Sequence, residues 1–419
     1  MTDALTHPLV QAYAPTEQAH LNASALSGEG ALPASLLAPD ADAPLAPQTE
    51  LVQKVKRTPK KGIKRHPVHG VFLLDKPLGL SSNQALQKVK WLFQAEKAGH
   101  TGTLDPLATG VLPICLGAAT KFSQLHLDAN KSYWAVARLG ELSATGDSEG
   151  PLEEGGPCAD LDLSVVALKA VAQQFLGQIE QTPPMHSALK VNGRALYDYA
   201  REGVSIDRAS RTVQIFDLNL CEITAVEELK NFDPSLPKNY ASLQATPSKG
   251  GDAVTSKETL DAALWDAFFK PGKRLLGIKV HCSKGTYIRT LAQDLGEALG
   301  CGAYLLSLRR VQTGPFGQEL CTSIEALEGM DPQQKTQTIG PIESLLKDHA
   351  PIYLEDEEAA RFLSGLRRRG SWPDDPQVAV YAQSPPNNLL GTAHVKAGEL
   401  IAERLLNPVE INSILESLI

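Results

Sequence analysis

No CxxC pair occurs in this chain: Cys115, Cys158, Cys221, Cys282, Cys301 and Cys321 are scattered singly. That spacing argues against a zinc site and against a disulfide framework, and makes a reducing cytoplasm the expected home. No apolar run comes near the roughly 18–20 residues of a membrane span. Met1 to Pro8 has no basic residue and no apolar stretch follows it, so no secretory signal is expected. With 42% hydrophobic and 21% charged residues over 419 positions, the chain reads as an ordinary soluble protein of two or three domains.

Lysine and arginine are missing from the first fifty residues, which hold six acids, twelve Ala and six Pro. Without an apolar period, residues 1–66 are expected to form a disordered arm. Its basic end carries seven Lys/Arg and no acid between 51 and 66. That run reads equally as an RNA-attracting tether or as a solvated linker. The net charge of −8 by itself disfavours a nucleic-acid partner, but it is unevenly spread. Residues 274–320 carry six basic against three acidic groups, and 321–419 carry eight against fifteen. A neutral-to-basic centre between acidic ends can hold RNA, because binding follows the local field.

The folded part is expected to begin near His69. Residues 70–76 (GVFLLDK) read as a strand stopped by Pro77 and Gly79, and Ser81 or Ser82 as the cap of a helix reaching about Phe93. Residues 132–140, 211–220 and 275–283 are β-prone, whereas 162–177 and 287–300 have helical spacing with a Gly stop. Strands and helices mix without a βαβ repeat, so the fold class is α+β around a mixed, mostly antiparallel sheet. The polar, proline-bearing segment 221–273 reads as a surface insertion. From about Ala350 a strand (351–354), a charged helix (356–369) and short β-prone segments form a further small unit. The expected domains are therefore 1–66, 67–320 and 321–419.

The densest punctuation is 99–110, GHTGTLDPLATG, whose Gly, Pro, Thr, His and Asp read as a loop. Taken alone, Asp105–Pro106 is also a standard helix start. Five further stretches accompany it: 75–82 DKPLGLSS, 145–150 TGDSEG, 181–203 QTPPMHSALKVNGRALYDYAREG, 282–289 CSKGTYIR and 308–317 LRRVQTGPFG. In this order they resemble the bacterial TruB family of tRNA pseudouridine synthases, over roughly 69–220 and 275–320.

The resemblance implies a pseudouridine synthase catalytic domain, followed by a small PUA-like, β-rich C-terminal domain. The implied reaction turns one uridine of the tRNA T loop, at the position conventionally called 55, into pseudouridine without cofactor or metal. Asp105 matches the family's nucleophile and Arg289 the arginine paired with it, for which a bidentate contact is expected. Tyr133 matches the tyrosine that packs on the target base and is implicated in proton removal. Tyr287 and Leu308 match residues lining the base pocket, Lys76 the lysine of the KP pair, and Asp147 a polar site residue. Before Asp147, the family's usual Thr-x-Thr reads Ser143-Ala144-Thr145 here. His100 matches the histidine that fills the gap left by flipped bases. Residues 181–209 match a thumb that clamps the RNA, in which Lys190, Arg194 and Arg201 contact phosphate and Asn192–Gly193 makes a bend. Arg309 and Arg310 are likewise expected on the RNA backbone. The partner implied is the T-stem loop of tRNA, bound by a monomer. A tRNA-folding factor that binds without turnover is the alternative from another class, and the two activities can coexist. An Asp-nucleophile phosphatase would want a second acid two residues after Asp105, which is absent.

Overall fold

The computed structural model describes residues 65–236, 257–385 and 388–416; the arm and its basic run, up to residue 64, lie outside the described residues. The main sheet runs Thr322–Ser323, Gly70–Lys76, Ala108–Leu116, Ala303–Thr313, Lys131–Leu139, Arg274–Cys282, Arg211–Ile223, Gly177–Gln181, with three shorter strands paired alongside. It is mixed and mostly antiparallel: only Gly70–Lys76 with Thr322–Ser323, and Ala108–Leu116 with Ala303–Thr313, pair in parallel. The second parallel pairing is very close. Gly110 sits at φ +95°, and a Cβ there would run into the backbone carbonyl of Arg310.

The middle strands are covered on both faces, so residues at successive positions along them are buried. In Lys131–Leu139, Ala135, Ala137 and Leu139 join one core, while Val136 points into a second. The helices Ser82–Leu92 and Ile288–Ala298 cover the first face, through Val89, Leu291 and Leu295 among others. The second face is covered by the segment expected to be a surface insertion. The strand Arg211–Ile223 continues into it. Leu229 and Phe232 of the helix Val226–Phe232, with Leu264 and Phe268 of Lys257–Phe268, bury against Val136, Leu275 and Tyr304. Arg138 fastens that cover, donating to the carbonyls of Ala267 (2.7 Å) and Phe268 (3.0 Å). Polar composition hid this, because only a few apolar residues per helix reach the sheet.

Beyond residue 349 a separate sheet runs Ala350–Leu354, Asp375–Ala382, Leu389–Lys396, Glu399–Leu405, Arg368–Arg369. The charged helix is shorter than 356–369: it is Asp356–Leu363, stopped by Gly365 at φ +82°. Arg368 and Arg369 lie on a strand instead. Arg367 and Arg369 share Glu399, and Arg368 pairs with Glu358, so this basic run is partly offset within the chain. The small sheet is stapled to the main one: Lys121 pairs with Glu410 (2.6 Å), and Arg404 donates back to the Lys121 carbonyl (2.8 Å). No helix among the described residues is long and apolar enough to cross a membrane.

Candidate active site

The loop carrying Asp105 spans the gap between the strands Ala98–His100 and Ala108–Leu116. Its shape is set from behind by Ser82, which is buried. The Ser82 hydroxyl accepts from the Leu104 N–H (2.7 Å) and donates to the Leu104 carbonyl (2.9 Å). Ser81 does the capping of the helix, in a capping box with Gln84. The Gly79 N–H holds the Pro106 carbonyl (2.9 Å), and the Ala108 N–H closes the turn onto the Asp105 carbonyl (3.0 Å). No helix follows Asp105; the Asp-Pro pair turns directly into a strand, because residues 108–116 are claimed by the sheet. Leu104 and Leu107 are buried on either side, while the Asp105 side chain keeps 37% exposure.

Arg289 meets it from the first turn of Ile288–Ala298, only 4% exposed. Arg289 Nε lies 3.1 Å from Asp105 Oδ2. The rest of the guanidinium is engaged elsewhere. It donates to the carbonyls of Thr145 (2.8 Å) and His186 (2.6 Å) and lies 3.5 Å from Asp147 Oδ2. Two carboxylates thus offset a buried cation that opposes the helix dipole. Asp147 is held in turn: Thr145 Oγ1 donates to its carboxylate (2.5 Å) and Ser143 Oγ to its carbonyl (2.6 Å). Serine at 143 therefore supplies a hydroxyl bond to this loop where the family usually has threonine.

A cleft of about 270 Å³ opens here, lined by Asp105, Tyr133, Tyr287, Arg289 and Leu308 among others. Burial raises the carboxyl of Asp105 above its ordinary range; Arg289 and Lys76 oppose the rise and Asp147 adds to it. Burial also raises the phenol of Tyr133, against the pull of Arg310 beside it. Lys76 is fully buried on the carbonyls of Pro77 (2.9 Å) and Leu80 (2.5 Å). Burial brings its amine down to about 7, Asp105 being the strongest force against that fall. His100, on the neighbouring short strand, is outside the cleft lining. Burial, then Arg310, depress its pKa, so its ring is neutral at pH 7.

The segment 181–209 forms a hairpin, Lys190–Val191 with Arg194–Ala195, followed by the helix Leu196–Arg201. Asn192 and Gly193 both take positive φ (52° and 80°), as a two-residue turn of this kind requires. Lys190 and Arg201 are exposed on it; Arg194 is already tied to Glu202. Arg309 and Arg310 depart from the surface position expected of them. Arg309 is buried and forked onto Asp75 (3.0 and 3.2 Å), and Arg310 is 1% exposed in the cleft wall. Central strand positions are covered, whatever their charge. Sequence reasoning missed Lys131 and Arg211, which also line the cleft. Lys131, brought down to about 8 mainly by burial, sits on the carbonyls of Leu127 (3.1 Å) and Ala129 (2.5 Å). Arg211 lies 4.6 Å over the Tyr287 ring. The lysine two positions before Tyr133 was the available signal for the first; Arg211 offered none. Among the described residues no three His, Cys, Asp or Glu side chains converge as metal ligands would.

The profile of the TruB family pseudouridylate synthase N-terminal domain matches residues 90–235, and that of the tRNA pseudouridylate synthase B C-terminal domain matches 289–347. A tRNA pseudouridine synthase B of Verminephrobacter eiseniae is 48% identical over 355 residues, covering 85% of this chain and 94% of its own. One of Cupriavidus taiwanensis is 43% identical, covering 82% and 95%. Among solved structures, a Cbf5-Nop10-Gar1 complex aligns at TM-score 0.53 and 22% identity, over 84% of this chain and 94% of that one. An H/ACA RNP bound to a substrate RNA containing 2'-deoxyuridine aligns at 0.52 and 21%, over 81% and 86%; both show the shared fold. On these identities and coverages the chain belongs to the TruB family of pseudouridylate synthases, and is an isomerase.

Proposed function

We propose that this isomerase converts one uridine in the T loop of tRNA, at position 55, to pseudouridine, with Asp105 as nucleophile. The observation that carries the reading is the Asp105–Arg289 pair at 3.1 Å in a cleft walled by Tyr133, Tyr287 and Leu308. The reaction balances within the nucleotide. The N1–C1′ bond breaks, the uracil turns, C5 joins C1′, the C5 proton is lost and N1 gains one. A carboxylate attacking covalently splits that exchange into two easier steps. Arg289 favours the ionised carboxylate against the burial that opposes it.

A uridine inside a folded loop must leave its stack to enter such a cleft, and the aromatic wall suits a flat ring. The tRNA class is supported by the relatives, whose name is tRNA pseudouridine synthase B. On this reading Lys190 and Arg201 grip phosphate from the hairpin, and His100, neutral, fills the space left by the flipped base. Incubating the protein with an unmodified tRNA transcript and mapping pseudouridine by chemical modification tests it. One new pseudouridine in the T loop is expected; modification elsewhere, or none, would overturn the assignment.

A further inference from the structure

Arg310 differs from the other arginines at the cleft. Arg289 faces two carboxylates and Arg309 faces Asp75, whereas no carboxylate among the described residues lies within ion-pair distance of Arg310. Its Nε donates to the Val111 carbonyl (2.7 Å), and its Nη2 is buried with no hydrogen-bond partner. Burying a guanidinium without a counter-charge is costly, so a group that uses the charge is called for.

That group stands directly across the sheet. Arg310 and Tyr133 are opposite each other in the antiparallel pairing of Ala303–Thr313 with Lys131–Leu139. Opposed side chains share a face, with Cβ atoms roughly 5 Å apart. Both residues line the cleft, and the charge of the guanidinium opposes the rise that burial imposes on the phenol. Cys282 on the adjoining strand and Asp105 on its loop act on that phenol in the opposite sense, and Lys131, two positions before it on the same strand, lines the same cleft.

We propose that Arg310 is a positioning residue that acts through Tyr133. Anchored on the Val111 carbonyl, it donates a hydrogen bond to the phenolic oxygen. This holds that oxygen against the base and stabilises the phenolate formed when the phenol gives its proton to N1 of the released uracil; that negative charge is discharged when the phenolate takes up the C5 proton. The proposal rests on the proposed function and on the proton-removing role that the family resemblance implies for Tyr133.

The test is a double-mutant cycle on the single-turnover rate at saturating tRNA, with Kd measured in parallel. Arg310→Met is expected to slow the rate by about tenfold or more while Kd stays within a few-fold, and to cost nothing further once Tyr133 is Phe. Arg310→Lys, which keeps the charge, is expected to recover part of the rate. Thermal melting of Arg310→Met should match or exceed the parent, because an apolar side chain replaces an unpaired buried ion. Full activity of Tyr133→Phe would remove the reading of Tyr133 itself. If Tyr133→Phe is slow and Arg310→Met multiplies its defect independently, Arg310 does not act through Tyr133. A change confined to Kd would make Arg310 a phosphate contact and equally overturn the proposal.

Discussion

To serve as a nucleophile Asp105 must be ionised, yet the protein around it raises its pKa above 3.8, burial first and Asp147 next, with Arg289 and Lys76 opposing. The single-turnover rate is therefore expected to fall as pH drops through that raised value, at a higher pH than an ordinary aspartate would give. The same shift has a stability sign. A carboxyl raised in the folded state favours folding fully below its unfolded pKa, and that contribution is lost as pH rises through the folded one. Asp105→Asn is expected to abolish turnover, by at least about 10³-fold, and to leave tRNA binding within a few-fold. It should also melt at or above the parent temperature at pH 7, by a margin that shrinks toward acid pH. A margin that widens in acid would show that the carboxylate is favoured in the fold. Arg289→Lys is a second residue-scale test. One ammonium cannot meet Asp105, Asp147 and the carbonyls of Thr145 and His186 together. Single-turnover chemistry should drop about 10²–10³-fold with binding little changed, the range typical of losing a charge-stabilising donor. Full activity of the lysine variant would mean that only net charge matters there.

Between elements, the decisive joint is Ser82 on Leu104, where one buried hydroxyl meets both the N–H and the carbonyl of the residue before Asp105. Ser82→Ala leaves both groups buried and is expected to cost about 1–3 kcal/mol in chemical denaturation. It should also slow single-turnover chemistry while Kd holds; an unchanged rate would show that the loop keeps its shape without the serine. DKPLGLSS marked this serine as a helix cap, and its true partner, twenty-two residues on, was invisible in that local pattern. The same limit runs through the rest. GHTGTLDPLATG and CSKGTYIR pointed to the candidate site through the family resemblance, which local, ordered motifs can carry. Which strand positions are covered is decided by neighbours distant in sequence, so Arg309 and Arg310 read as surface cations. The helices at the ends of 221–273 read as polar for the same reason, since each buries only its few apolar residues. The strand Lys131–Leu139 was legible to within a residue because aromatic and β-branched residues crowd it.

For the molecule as a whole, the basic run 51–66 reads equally as an RNA tether or a solvated linker, and its removal separates the two. Deleting residues 1–64 is expected to leave the melting temperature nearly unchanged, since the Ala/Pro-rich arm lacks core-forming composition. If the run meets phosphate, the slope of log K against log salt should fall by roughly 0.7–0.9 for each phosphate no longer neutralised. An unchanged slope would make it a solvated linker. A tRNA-folding activity would rest on the whole RNA-binding surface, and Asp105→Asn separates holding tRNA from modifying it. That surface also depends on Gly110, which lets the backbone of Arg310 pass. Any side chain at 110 would push the strand that carries Leu308 and Arg310 away from Ala108–Leu116 and the Asp105 loop that leads into it, without removing a reacting atom. A genetic screen for lost pseudouridine would collect such alleles alongside those at Asp105. The tRNA-bound fraction per folded molecule, read allele by allele, would sort broken chemistry from a displaced wall.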